Sequence, residues 1–517
     1  MHRRLSAIVG GVIALAASLL TAAVIAAPAA QAGSVNAPAL LTSQQRTVLD
    51  GIAQDTWRFF QKDVDPTTHL PLDNLGPGTT RGEYTSSANI GVYLWAVVSA
   101  HDLGLISGGE AVTRVLQTLR EVQELPRSHG FLYQWYDTST GQVILNPGQG
   151  ACPQVGGTND NCSFLSAVDN GWYAAGLVVA RRALPGAAGL ASSLLHDMDF
   201  SIFYDSGPQT DCNVNAADNN QPTGQMFGGY YAGVGPAGYH NGAIFSDPRI
   251  AMYLGIGLHQ MPGDVWWRTW RVLPPQRCAT DPDFSWQGQP QGPGTGYWTT
   301  IADPQSGKPF PVWEGHYTYP GTSFRYLPTW AGGMFEALMA NEVVPETSWG
   351  THGFGLADRR TVQVQMKYAK EQLHFPVWGL SPSSTADDTG GYGGFGVEGQ
   401  TFPAGQQLAQ CSGCGTETTV TPHASFLALD VAPQAAFANI QSLRRLYPDV
   451  YASDGGFYDA VNPTTGAVGH RRLVLDQSMI MAALDNALNG RQLQRWFAAD
   501  PVASVDRPYL AVERMSI

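Results

Sequence analysis

The residues of this 517-residue chain that could do chemistry are carboxylates set among aromatic rings and glycines. Asp169 sits in S-A-V-D-N-G-W (166–172), Asp247 in F-S-D-P-R (245–249), Glu314 in P-V-W-E-G-H-Y (311–317) and Glu398 in G-G-Y-G-G-F-G-V-E-G (390–399). Paired carboxylates suit glycoside hydrolysis, in which one acid protonates the leaving oxygen and a second carboxylate activates water or attacks the sugar. Plainer readings stand beside these. Ser166 with Asp169 fits a capping box, and Asp247 before Pro248 fits an N-cap followed by the first helical position. Glu314 has no helix face to solvate it and lies between Trp313 and Tyr317, where desolvation would raise its pKa toward that of a general acid. Glu398 follows a Gly/Tyr loop of the kind that forms a lid over a cleft.

Around these acids are candidate ligands for sugar. Trp172, Trp313, Trp330 and Tyr392 offer ring faces to C–H groups. Arg249 could hold a substrate hydroxyl or a neighbouring carboxylate. Glu336, in P-T-W-A-G-G-M-F-E-A-L-M (328–339), is either a solvated helical glutamate or a ligand. His423, behind Thr421 and Pro422 at a helix start, reads as a supporting histidine or a substrate contact. Asp459 and Asp476 read as turn and helix-start residues, with Asp459 and Gln477 as further hydroxyl ligands.

Composition narrows the partner. There is no phosphate loop, no G-x-G-x-x-G behind a strand, no G-x-S-x-G elbow and no H-E-x-x-H. No ordered set of metal ligands is present either, so neither cofactor nor metal is expected; calcium at Asp387 and Asp388 lacks a ligand pattern. A formal net charge of −13 makes nucleic acid and anionic membranes poor partners. Only 14% of residues are charged, while Gly (59), Tyr (20) and Trp (14) are abundant, which favours a neutral, hydroxyl-rich glycan; a monomer is expected. A polysaccharide lyase is the alternative chemistry, but lyases hold uronic acids in basic clefts. A non-catalytic glycan-binding protein is the alternative without chemistry.

The elements that must position these residues are mostly helical. Arg3 and Arg4, an apolar run from Ala7 to Ala27 and the A-x-A of Ala30–Ala32 read as an export signal over 1–32. A leader (33–42), one domain (43–500) and a C-terminal tail (501–517) follow. A secreted chain is expected to oxidise its six cysteines, Cys152 with Cys162, Cys411 with Cys414 and Cys212 with Cys278. Apolar spacing and caps predict twelve helices, at about 43–63, 87–104, 109–124, 169–183, 190–203, 248–258, 332–341, 359–372, 422–431, 433–447, 474–488 and 491–498. Some, such as 169–183, are apolar or small on nearly every face; others, such as 109–124, are amphipathic. Buried helices wrapped by amphipathic ones point to an all-α (α/α)6 toroid with long Gly- and aromatic-rich loops and short β-hairpins. Two of those hairpins, at 130–143 and 456–468, share a T-G turn, which points to a quasi-repeated plan.

Taken together, F-L-S-A-V-D-N-G-W-Y-A-A-G-L, S-D-P-R-I-A-M-Y-L-G-I-G, P-T-W-A-G-G-M-F-E-A-L-M, T-P-H-A-S-F-L-A-L, G-F-Y-D-A-V-N-x-x-T-G and L-D-Q-S-M-I resemble the bacterial glucoamylase-like domain family. That family includes the C-terminal domain of cyclic β-1,2-glucan synthases and, more distantly, β-1,2-glucanases. The resemblance spans residues 45–498 in order and implies an (α/α)6 toroid acting on glycans. It also implies that the acid of the S-[DE]-x-R block is Asp247 and that the acidic helix start is Asp169. Trp172 replaces the following Glu, and W-G-L-S-P-S carries Pro382 where relatives have a carboxylate. Either Glu314 or Glu398 then takes that role, or substrate and stereochemistry differ.

Overall fold

The computed structural model describes residues 40–208, 222–272, 296–319, 321–327, 329, 332–397 and 419–517. The export signal, Trp330, Glu398 and the cysteines other than Cys152 and Cys162 lie outside the described residues.

Local sequence sets the first helices. α1 (Ser43–Phe60) opens on a capping box between Thr42 and Gln45. Ser86, Ser107 and Ser166 cap α2 (Ser87–Asp102), α3 (Gly108–Glu124) and α4 (Ala167–Ala183) by accepting the backbone N–H three residues on. Next come α5 (Ala188–His196), α6 (Arg249–Gly257), α7 (Asp264–Arg268), α8 (Met334–Leu338) and α9 (Glu346–Trp349). They are followed by α10 (Phe354–Glu371), α11 (Pro422–Leu427), α12 (Pro433–Leu446), α13 (Val474–Leu488), α14 (Gln492–Ala498) and α15 (Pro501–Val512).

Six of these are buried almost all round: α2, α4, α6, α8, α11 and α13. They pack neighbour to neighbour, α2 on α4, α4 on α6, α8 on α11, α11 on α13 and α13 back on α2. Arg249 of α6 joins the remaining pair, donating from Nη1 to the carbonyl of Glu336 (3.1 Å) and from Nη2 to that of Ala337, both in α8. The result is a helical toroid. The α2–α4 approach needs glycine: a Cβ on Gly176 would lie 2.3 Å from the carbonyl oxygen of Gly91, and one on Gly91 2.4 Å from that of Trp172.

The second layer packs outside this ring, α1 on α13, α5 on α4, α10 on α8 and α12 on α11. α15 covers α6. The expected C-terminal tail is therefore largely helix, opened by Asp500, which accepts from Val502 N–H, and Pro501 at its first position. The expected 190–203 helix ends at His196; Asp199 then accepts from Ser201 N–H and starts a short 3-10 turn, Phe200–Phe203. Cys152 and Cys162 are disulfide-bonded, as expected from their spacing. No helix among the described residues is long and apolar enough to cross a membrane.

Strands are short and lie in the connections. The expected hairpin near 130–143 turns at Asp137–Gly141, and that near 456–468 pairs Ala460–Val461 with Val468–Gly469 across Asn462–Gly466. In both turns the first side chain accepts two backbone N–H groups, Asp137 those of Ser139 and Thr140, Asn462 those of Thr464 and Thr465. Asp65 and Asp303 do the same in D-P-T-T-H and D-P-Q-S-G. One turn is thus used four times.

The buried join at α6 gives the first prediction. Glu346→Ala leaves the Arg249 guanidinium buried without its carboxylate, which should cost about 3–5 kcal/mol. Chemical denaturation of the purified protein should show the midpoint fall accordingly; an unchanged midpoint would contradict the role given to this pair.

Candidate active site

Inside the ring lies a cavity of about 460 Å³. Its wall is built from the N-terminal parts of the buried helices: Ala88 and Asn89 of α2, Val168, Asp169 and Trp172 of α4, Phe335 of α8, and Leu475 of α13, with Asp247 just ahead of α6. Helix N-termini favour negative charge, so carboxylates can be held there, yet burial disfavours their ionised form.

Asp169 is the third residue of α4. Ser166 accepts its backbone N–H at 3.2 Å, but no reciprocal capping bond forms, so the carboxylate is left for the cavity, 3.4 Å from Gln134 Nε2. Burial raises its pKa, and the Ser166 and Gln134 hydrogen bonds partly offset this.

Asp247 is not the N-cap expected from its sequence. Pro248 occupies that place without a side-chain cap, because the turn before α6 is closed by backbone alone, Ile250 N–H donating to the Asp247 carbonyl. The freed carboxyl has Ser246 Oγ at 3.4 Å. Its pKa is pushed up to about 7, first by burial and then by the charge of Asp169, with Arg249 a lesser opposing influence. The mutual repulsion of the two carboxyl groups thus opposes their ionising together.

Of the sequence-derived ligands, Trp172 and Tyr392 line this cavity. Trp172 is buried edge-on against Trp95, ring centroids 5.7 Å apart, while Tyr392 is 55% exposed. Glu336 is not the solvated helical residue its setting allows: it is buried, its Oε2 has no hydrogen-bond partner, and burial followed by the Asp247 charge raises its pKa well above the usual range.

Several candidates are placed elsewhere. Arg249 is buried and cannot reach substrate hydroxyls: Nε and Nη2 donate to the two oxygens of Glu346 at 2.7 and 2.9 Å, and Nη1 donates to the Ser246 carbonyl at 2.9 Å as well as to α8. Gln477 is buried and donates to the Phe457 carbonyl at 3.0 Å. Asp459 is buried and accepts from Ser384 Oγ and Leu473 N–H, and His423 Nδ1 lies 3.1 Å from Asp476 Oδ2; none of these lines the cavity. Glu314 belongs to a different cluster. Its Oε1 lies 3.7 Å from Arg271 Nε, and Arg271 donates to both oxygens of Glu513. Burial and then Glu513 push Glu314 up to about 8, so the raised pKa expected from its aromatic setting is present, but away from the cavity. Trp313 packs edge-on against Trp298, centroids 5.3 Å apart, likewise outside the cavity lining. What the sequence reading missed is Asp73, Tyr84, Asn89, Trp135 and Arg471, all in the cavity wall.

Among known proteins, residues 308–501 match the family described as "Putative glucoamylase", and residues 51–221 match a "Protein of unknown function (DUF3131)". The chain resembles the glucoamylase-like family. It is also 25% identical, over 87% of its length, to cyclic beta-(1,2)-glucan synthase NdvB of Rhizobium meliloti, of which it spans 18%. Its fold is that of a glucoamylase-like protein of Bacteroides fragilis (16% identity, TM-score 0.62, 92% of this chain and 98% of that one). It is shared with an endo-beta-1,2-glucanase of Chitinophaga pinensis, solved with sophorotriose and glucose (14%, 0.62, 91% and 98%). A beta-1,2-glucanase of Parabacteroides distasonis has it too (14%, 0.64, 91% and 60%).

A carboxyl group held protonated against its unfolded preference has a stability signature. Asp247's raised pKa favours the fold fully below about pH 4, and this contribution is lost as pH rises through about 7. Asp247→Asn should therefore melt at a higher temperature than the parent at pH 8, with the gap closing toward pH 4. Calorimetric scans across that range check this; a gap independent of pH would contradict it.

Proposed function

We propose that the chain is a glycoside hydrolase, built as an (α/α)6 toroid, that cleaves a neutral oligo- or polysaccharide in the cavity at the N-terminal ends of the buried helices. The observation that carries this reading is the pairing of two buried carboxyl groups in one aromatic-walled cavity, Asp169 and Asp247, the latter pushed up to about 7 by burial and by the charge of Asp169. Such a pair is what glycoside cleavage needs. Asp247 donates its proton to the leaving glycosidic oxygen, and the Asp169 carboxylate activates a water or attacks the anomeric carbon, water then supplying the second half of the reaction. Trp172 and Tyr392 present ring surface to the sugars.

β-1,2-Linked glucan is the first substrate to test, because proteins of the same fold are named as β-1,2-glucanases and one was solved with sophorotriose. The export signal expected over 1–32 would make an extracellular glycan the target, and the Cys152–Cys162 disulfide fits an oxidising compartment.

Release of reducing ends from a glycan panel that includes β-1,2-glucan tests the proposal. Asp247→Asn and Asp169→Asn should each lower kcat by about 10²–10⁴-fold, and the parent's activity should fall as pH rises through about 7, where Asp247 loses its proton. Activity on the panel that survives both substitutions would refute the assignment.

A further inference from the structure

One carboxylate in the cavity wall is used by neither step of that reaction. Asp73 precedes the strand Asn74–Leu75, which pairs with Arg81–Gly82 on one side and with Arg472–Leu473 on the other. Its backbone is held from both sides, its N–H shared between the carbonyls of Gly82 (3.1 Å) and Tyr84 (2.8 Å) and its carbonyl accepting from Val474 N–H (2.9 Å). Its side chain is held as firmly, with Asn89 Nδ2 donating to Oδ1 at 3.0 Å and Asn74 Nδ2 donating to Oδ2 at 2.9 Å. Arg471 Nη2 lies 3.7 Å from Oδ2. The Tyr84 hydroxyl hydrogen-bonds to the Asp73 carboxylate as well; a carboxylate accepts about four hydrogen bonds, so about one acceptor position remains for a ligand.

Arg471 is fixed with it. Nη1 donates to the Gly390 carbonyl at 2.8 Å, and Nη2 donates to Tyr84 Oη at 3.3 Å, which ties the guanidinium to the segment that carries Tyr392. Burial, and after it the charge of Asp73, raises the pKa of the Tyr84 hydroxyl, which stays a donor, and its ring packs edge-on against Trp135 with centroids 5.6 Å apart. An acceptor and a cationic donor thus stand side by side next to an aromatic wall. Among the described residues lining the cavity, the acidic side chains are Asp73, Asp169 and Asp247, and the one cationic side chain is this guanidinium.

We propose that Asp73 and Arg471 together form a hydroxyl-reading subsite that takes adjacent free hydroxyls of a neutral sugar ring and excludes sugars bearing an acid group. Vicinal hydroxyls each donate and accept, and therefore match a carboxylate beside a guanidinium; a uronic or phosphorylated sugar would bring its charge to the carboxylates of Asp73 and Asp169 against one cation. This rests on reading the cavity as a glycan site.

The test is calorimetric titration of the Asp247→Asn protein, slowed as expected above, with sophorotriose and with the same trisaccharide oxidised to a glucuronic acid at its non-reducing end. Adding Asp73→Asn should weaken sophorotriose binding about tenfold or more, the loss of a charge-assisted hydrogen bond, and narrow the preference for the neutral sugar by a similar factor. Adding Arg471→Gln instead should weaken sophorotriose and widen that preference, an opposition of sign that simple damage to the fold would not produce. A preference unmoved by either substitution would overturn the subsite while leaving the glycan reading intact. Failure of the Asp247→Asn protein to bind either trisaccharide would overturn the subsite together with β-1,2-linked glucan as its ligand, and retained binding by only one double variant still decides the sign.

Discussion

The Arg249 guanidinium is the contact on which the rest of this structure depends. Fully buried, it has a carboxylate on one side, Glu346, further fixed by the Tyr253 hydroxyl, and carbonyls of Ser246, Glu336 and Ala337 on the other. A cation so far from water is tolerable only because its donors are satisfied in a geometry suited to its planar fork. By meeting that requirement it joins α6 to α8 and completes the ring. It also sets the segment carrying Asp247, two residues upstream, against the helix carrying Glu336. Because it is committed to Glu346, it offsets only part of the burial that keeps Asp247 protonated.

From that constraint the character of the cavity follows. Five of the six buried helices direct residues from or beside their N-terminal parts to one volume, so partial positive charge from backbone N–H groups converges where Asp169 and Asp247 stand. Apolar walls from Trp172, Phe335 and Leu475 withdraw water from the same place. The first influence retains a charged carboxylate and the second favours a neutral one. Burial raises the pKa of both acids, and repulsion between them raises that of Asp247 further, which opposes both being charged at once.

Sequence made much of the fold legible, and the physical reasons differ by element. Helices with a long apolar pattern were clear: α13 runs over Val474–Leu488, the span its sequence predicts, and α2, α3 and α4, each with a serine cap, differ from expectation only at their ends. α15 was hidden by Pro508 in its interior, although Asp500-Pro501 signals its start. α8 proved a single turn and a half continued by a 3-10 turn, Met339–Glu342, because tertiary packing rather than periodicity sets it. In the cavity wall, Asp169, Trp172, Asp247 and Tyr392 were legible because carboxylates and rings at helix starts and in Gly-rich loops carry a local signature. Glu314 carries the same local signature, and what separates it from them is distant in sequence: Arg271 and Glu513 hold it in another cluster. Asp73 had no local signature at all. Its partners Asn89 and Arg471 come from α2 and from the last hairpin, and only the closed ring brings the three together.

The protonation state of Asp247 is the point where fold and chemistry meet, and it can be measured directly by following the carboxyl resonances of ¹³C-labelled aspartate through a pH titration. The account predicts that the resonance lost in Asp247→Asn titrates near 7 in the parent protein and moves to lower pH in Asp169→Asn, where the neighbouring charge is gone. A resonance titrating near 4, or one indifferent to the Asp169 substitution, would contradict it.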